Sequence, residues 1–119
     1  MVNGREKLTG LYEPWRKWCE YVLEIASARG FAPTVTSGYR SQREQKRLYD
    51  DYRTGRSRIV AAPPGHSAHE SGLALDVVAG NGQQAALLAL FQGFGGELVK
   101  NDPVHVQYPG WSRYRGGGS

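Results

Sequence analysis

The chain has 119 residues, of which 39% are hydrophobic and 22% charged; that suits one folded domain with a modest core and excludes a disordered segment. Fifteen Lys and Arg against 11 Asp and Glu leave a net charge of +4, a balance drawn to polyanions such as anionic wall polymers, but the cations are scattered and no nucleic-acid reading motif is present. The single cysteine, Cys19, excludes an internal disulfide and every Cys-rich zinc cluster, and no apolar run approaches the ~20 residues that span a bilayer, so no membrane insertion is expected.

Leu11, Trp15, Trp18, Cys19, Val22 and Ala26 recur at three- and four-residue spacing and predict an amphipathic helix over Leu11 to Ala28, with Pro14 in its first turn and Gly30 past its end. Because the tryptophans share a stripe with Val22 and Ala26, they are expected in the core rather than on a sugar-stacking surface, and Cys19 is expected there too as a small apolar residue. Thr34-Val35-Thr36-Ser37, bounded by Pro33 and Gly38, reads as a strand. Ser41 and Glu44 form a capping box that opens a helix from about Gln42 to Arg53, with Gln45, Leu48, Tyr49 and Tyr52 along one side. Arg40 falls at the strand-to-helix junction, where side chains are commonly aimed into a site.

A loop over 53–65 ends in Pro63-Pro64-Gly65 and delivers the chain in a fixed direction into a second strand, Ala74 to Val78. A helix is predicted over Asn81 to Gly93 through Ala85, Leu88, Ala89 and Gln92. Two short strands follow at Gly96 to Val99 and Val104 to Gln107. The ending Gly116-Gly117-Gly118-Ser119 reads as a flexible tail, leaving residues 1–115 as the domain.

The chemistry concentrates in Ser67-Ala68-His69-Glu70-Ser71-Gly72-Leu73-Ala74-Leu75-Asp76 and in Asp102-Pro103-Val104-His105. Alternation along the second strand puts Asp76 on the face opposite Leu75 and Val77, and a carboxylate emerging from so apolar a strand needs a partner such as a metal ion. Gly72 permits close backbone approach, and His69, in the loop entering the strand, is able to turn back over its end. His105 and Gln107 share a face of the last strand, so His105 completes a His-Asp-His set. Imidazole and carboxylate ligands suit Zn²⁺, and three of them leave one position open for water. Asp102 reaches the same cavity from the turn before the strand. His66, with His-x₂-His spacing to His69, is read as a loop or supporting residue, since the other three already make an open site.

These residues together resemble the VanY/VanX-type zinc peptidases: D-alanyl-D-alanine carboxypeptidases and dipeptidases, and the phage L-alanyl-D-glutamate endopeptidases. The likeness rests on Ser37-Gly38-Tyr39-Arg40-Ser41 with Gln45, on Ser67, His69, Gly72, Ala74 and Asp76, and on Asp102 with His105. It implies an α+β fold of the Hedgehog/DD-peptidase type, a small, mostly antiparallel sheet packed against helices. It further implies one Zn²⁺ on His69, Asp76 and His105, with Asp102 as general base and acid. Arg40 would bind substrate or stabilise charge at the scissile carbonyl, and Tyr39, Gln45 and Ser67 would add substrate contacts.

Many carboxypeptidases of the group carry Glu-Pro-Trp-His where this chain has Asp102-Pro103-Val104-His105. The shorter acid and the absent tryptophan are similar to the phage endopeptidase branch. The expectation is therefore a monomeric zinc peptidase acting on bacterial peptidoglycan, an L-alanyl-D-glutamate endopeptidase of an endolysin or virion-associated lysin. The start of the chain lacks the apolar stretch of a secretory leader. Synthesis in the host cytoplasm with holin release or virion carriage is expected, or the periplasm or wall if a leader was removed. The alternatives are a D-alanyl-D-alanine carboxypeptidase and, outside the enzymes, a metal-containing wall-binding module.

Overall fold

Four strands form the sheet that carries the site: β1 (Thr34–Ser37), β2 (Ala74–Val78), β3 (Glu97–Leu98) and β4 (His105–Gln107). In this computed structural model, which describes residues 1–113, they lie in the order β1-β2-β4-β3 with antiparallel pairings throughout. Three helices accompany them, α1 (Glu13–Ala28), α2 (Gln42–Arg53) and α3 (Gln84–Gly93), so the fold is α+β, as the resemblance implies. No helix among the described residues is long and apolar enough to cross a membrane. The glycine-rich segment 116–119 lies outside the described residues.

The chemistry of α1 follows its sequence. Pro14 occupies the first turn, and Trp15, Cys19, Val22, Leu23 and Ala26 are buried on one stripe. Trp15 and Trp18 stack at 4.7 Å between ring centroids, and Trp15 is only 2% exposed, so this pair builds core and not a sugar platform. Cys19 is fully buried, and burial pushes its thiol pKa up, which suits an inert packing residue. Ser41 caps α2, its Oγ accepting from the Glu44 backbone N–H at 3.1 Å.

α1 starts at Glu13 rather than Leu11 and the last two strands are shorter than the sequence reading, but the largest departure is in α3. α3 begins at Gln84 rather than Asn81, because Asn81 and Gly82 adopt positive φ (58° and 74°) and make a turn. Its buried residues are Leu87, Leu88 and Phe91, whereas Ala85, Ala89 and Gln92 are exposed. The bulky side chains win the core face because each buries more apolar area than alanine does.

The sheet has two unlike faces. Val35, Leu75, Val77 and Val106, all at 0% exposure, form the core with α1 and α3. Burial of each such side chain contributes roughly 1.5–3 kcal/mol. The other face turns Asp76 and His105 toward a cavity bordered by α2 and the loop that follows it. A bulge in β1 shifts the register between Val35 and Ser37, so that Ser37 rather than Thr36 stands opposite Asp76.

Candidate metal centre

Asp76 and His105 are direct register partners across β2 and β4. His69 comes from the 3-10 turn Ala68–Ser71, which Ser67 caps by accepting the His69 N–H on its Oγ at 3.2 Å. Gly72 ends that turn at φ 70°, where a Cβ would lie 2.9 Å from the Tyr12 nitrogen. The Tyr12 N–H in turn donates to the Gly72 carbonyl at 3.0 Å. The His69 turn is thus clamped to the start of α1, and only glycine fits the clamp.

One ligand atom from each of His69, Asp76 and His105 lies within 4.8 Å of the others. The hydrogen bonds on the far sides of the rings determine what those atoms are. His69 Nδ1 donates to the Gly38 carbonyl at 2.7 Å, which leaves Nε2 of the neutral ring as a bare lone pair 3.1 Å from Asp76 Oδ1. His105 Nε2 donates to Gln107 Oε1 at 2.8 Å, which leaves its Nδ1 bare, 3.3 Å from the same oxygen. Two lone pairs and a carboxylate oxygen converging on one point repel unless a cation or protons lie between them. The donor set therefore fits a divalent metal of the zinc type.

Without a metal, protons serve the same end. Burial works against the Asp76 anion, but the hydrogen bonds and charges of His105 and His69 outweigh it and hold the carboxyl far below its usual range. For His105, burial opposes the charged ring, yet the bonds to Asp76 and Gln107 raise its pKa above the ordinary histidine value.

The remaining predicted residues separate by role. The Arg40 guanidinium reaches Asp76 Oδ2 at 3.2 Å, Gln45 Oε1 at 3.3 Å and Ser37 Oγ at 3.1 Å. It thereby fixes the half of the Asp76 carboxylate that the histidines leave free. Gln45 is 1% exposed, and besides accepting from Arg40 it donates through Nε2 to the Ala62 carbonyl at 2.9 Å. It ties the loop after α2 to the site, and its polar atoms are already engaged. Ser67 lines the cavity mainly as the cap of the His69 turn. Tyr39 does not line it; its ring lies over Gly10, where a Cβ would meet it at 3.1–3.3 Å. Asp102 stands with its side chain 45% exposed and Oδ2 3.8 Å from His105 Nδ1, close to the ligand cluster but outside it. His66 lines the cavity from the loop and is not one of the three clustered ligands.

Comparison with known proteins places this arrangement in a family. The family described as VanY, D-alanyl-D-alanine carboxypeptidase, matches residues 10–101, well over half of the chain. The chain belongs to the VanY family. The matched segment contains Arg40, His69 and Asp76 and stops one residue before Asp102. Solved structures with the VanY fold are similar over most of this chain. VanYB in complex with D-alanine-D-alanine aligns with a TM-score of 0.67 at 22% identity, over 87% of this chain and 75% of that one. The L-Ala D-Glu endopeptidase ChiX of Serratia marcescens aligns with a TM-score of 0.65 at 20% identity, over 91% and 90%. A VanY D,D-pentapeptidase in complex with Zn(II) aligns with a TM-score of 0.59 at 24% identity, over 82% and 72%. Identities this low establish a shared fold and leave the substrate open. No curated protein sequence matches the chain.

In this VanY-family domain two supporting residues escape a sequence reading. Gln84 at the start of α3 accepts the Ala79 N–H at 2.7 Å and donates to the carbonyls of Val77 (2.9 Å) and Pro103 (3.0 Å). It staples the end of the Asp76 strand to the turn that presents Asp102. No local pattern announces this, because all three partners are backbone groups brought together by the fold. Gln107 does share a strand face with His105, an alternation visible in sequence, but its bond to the ring depends on side-chain packing.

Proposed function

We propose that this VanY-family chain is a zinc metallopeptidase that hydrolyses an amide bond in peptidoglycan stem peptides, and that the bond is the one between L-alanine and D-glutamate. The observation that carries the metallopeptidase reading is the convergence of two bare imidazole nitrogens on Asp76 Oδ1, with the half-exposed acid Asp102 beside them in a cavity of about 630 Å³. His69, Asp76 and His105 would hold the ion. Zinc in such a set supplies Lewis acidity, polarising a carbonyl and making water nucleophilic near neutral pH.

The chain's own groups do the rest. Asp102, outside the ligand cluster, takes the proton of the attacking water and returns it to the leaving amine. Arg40 neutralises Asp76 Oδ2 and keeps the carboxylate turned toward the histidines, with donors to spare for charge developing on a substrate oxygen. Leu48, Ile59, Val60, Val99, Val104 and Trp111 add apolar surface to a cavity that stays open to solvent, Ile59 and Val60 being 80% and 74% exposed.

The endopeptidase reading draws on the cations. A carboxypeptidase must grip a chain-terminal carboxylate as well as stabilise the reacting oxygen, and among the described residues Arg40 is the only Arg or Lys lining the cavity for both tasks. Aspartate at position 102, the acid of the phage endopeptidase branch that the sequence resembles, points the same way. The family's description favours the second reading, removal of a terminal D-alanine. Mass spectrometry of muropeptides incubated with the zinc-loaded protein separates them. Release of the stem from muramoyl-L-alanine supports the proposal; loss of a single terminal alanine replaces it with the carboxypeptidase. A lysin released from, or carried by, a phage remains the setting proposed for the endopeptidase.

A further inference from the structure

Gln107 stands opposite Glu97 in the β3–β4 register and shares its strand face with His105, two residues away. On the other side its register partner is Ala74, a fully buried residue with only a methyl to offer. Gln107 Nε2 donates to Glu97 Oε1 at 2.5 Å, and Gln107 Oε1 accepts from His105 Nε2 at 2.8 Å. The direction of this chain follows from chemistry. An ionised carboxylate only accepts hydrogen bonds, so the NH₂ end of the amide must face Glu97. The amide oxygen, which also only accepts, then faces His105 and requires the proton on Nε2. What remains on Nδ1 of the neutral ring is a lone pair, and Nδ1 is the nitrogen turned toward Asp76 and Asp102.

We propose that Glu97 is a positioning residue that acts through Gln107 to set the His105 tautomer competent to bind a metal. Glu97 touches neither the ligand cluster nor the cavity, and it is exposed on the short outer strand. Without its carboxylate the Gln107 amide is free to rotate and present its NH₂ to His105 Nε2. That orientation favours the proton on Nδ1, where it competes with the metal and is held by Asp76. His69 needs no such relay, because the Gly38 carbonyl that fixes its ring cannot turn over.

The inference rests on the metal reading above, and its test separates the two. Zinc affinity, measured by chelator competition, is compared in the parent, in Glu97→Gln, and in the exchange Glu97→Gln with Gln107→Glu. The exchange restores an acceptor-only group beside His105 and a donor behind it. Glu97→Gln is expected to weaken zinc binding about tenfold and the exchange to recover most of it. Glu97→Gln binding as tightly as the parent overturns the proposal, and so does an exchange that folds but fails to recover affinity. Should the parent bind no zinc, the metal reading falls by itself. The His105 Nε2 proton, followed by ¹⁵N-edited NMR at a pH where the ring is neutral, then decides the relay: retained in the parent and lost in Glu97→Gln supports it, retained in both refutes it.

Discussion

Asp102 and Arg40 differ in how the site uses them, and mutation should separate the two. The Asp102 carboxylate contacts none of the ligand lone pairs directly; its Oδ2 lies 3.8 Å from His105 Nδ1. Asp102→Ala is therefore expected to keep zinc, read by elemental analysis, while turnover of muropeptides falls on the order of 10²–10⁴-fold, the range of a lost general base. Unchanged turnover would remove Asp102 from the mechanism. Arg40 is bound to three side chains at once, a geometry that the single ammonium of lysine cannot reproduce. Arg40→Lys is expected to lower kcat/KM by at least about tenfold, and a wild-type value would mean that its planar fork is not needed.

At the scale of elements, the site is assembled by turns that other elements hold in place. The Gln84 amide joins β2 to the Asp102 turn. Gln84→Ala leaves the Val77 and Pro103 carbonyls to find other partners and loosens the turn, so kcat should fall while zinc affinity, which depends on other residues, holds. A parallel loss of zinc would mean that Gln84 supports the fold of the whole site rather than Asp102. The Gly72 clamp makes a second case. Gly72→Ala puts a methyl 2.9 Å from the Tyr12 nitrogen at positive φ, and a loss of roughly 1–3 kcal/mol of stability is expected in urea unfolding. A shift within error would show that the start of α1 yields easily.

For the molecule as a whole, the proposed metal would compete with protons for one cluster, and the pKa directions give the sign. His105 is raised in the folded state, so its contribution to metal-free stability is complete below the unfolded value of about 6.5 and is lost as pH rises through the folded pKa. Asp76 is depressed, so its share is present above about 3.9 and is lost only as pH falls through its low folded pKa. Zinc on the proposed ligand set would displace the His105 proton, so its affinity is expected to rise with pH. The rise in Tm on adding zinc should grow between about pH 5.5 and 8; at 100 times Kd the stabilisation is about 2.7 kcal/mol, or roughly 10 °C for a domain of this size. Scanning fluorimetry with and without chelator reads this directly, and a zinc increment that shrinks with rising pH would contradict the ligand set.

The sequence by itself determined the parts governed by local periodicity and by residue chemistry. The α1 stripe, the Ser41 cap, strand β2 to its end residues and the residues of the His69–Asp76–His105 cluster were all legible, because alternation and capping act over a few positions. It marked α3 by Ala85, Leu88, Ala89 and Gln92, of which only Leu88 is buried, because competition among several apolar side chains is settled by what packs against them. It gave no sign that packing lays the Tyr39 ring over Gly10 and engages both ends of the Gln45 amide, the two residues from which substrate contacts are expected. Only the tertiary structure decided the β1 bulge beside Asp76, the Gln84 staple and the Glu97–Gln107 relay. Each of these depends on groups far apart in the chain, or on which of two amide ends faces which neighbour, and neither distance nor direction is written in a local pattern.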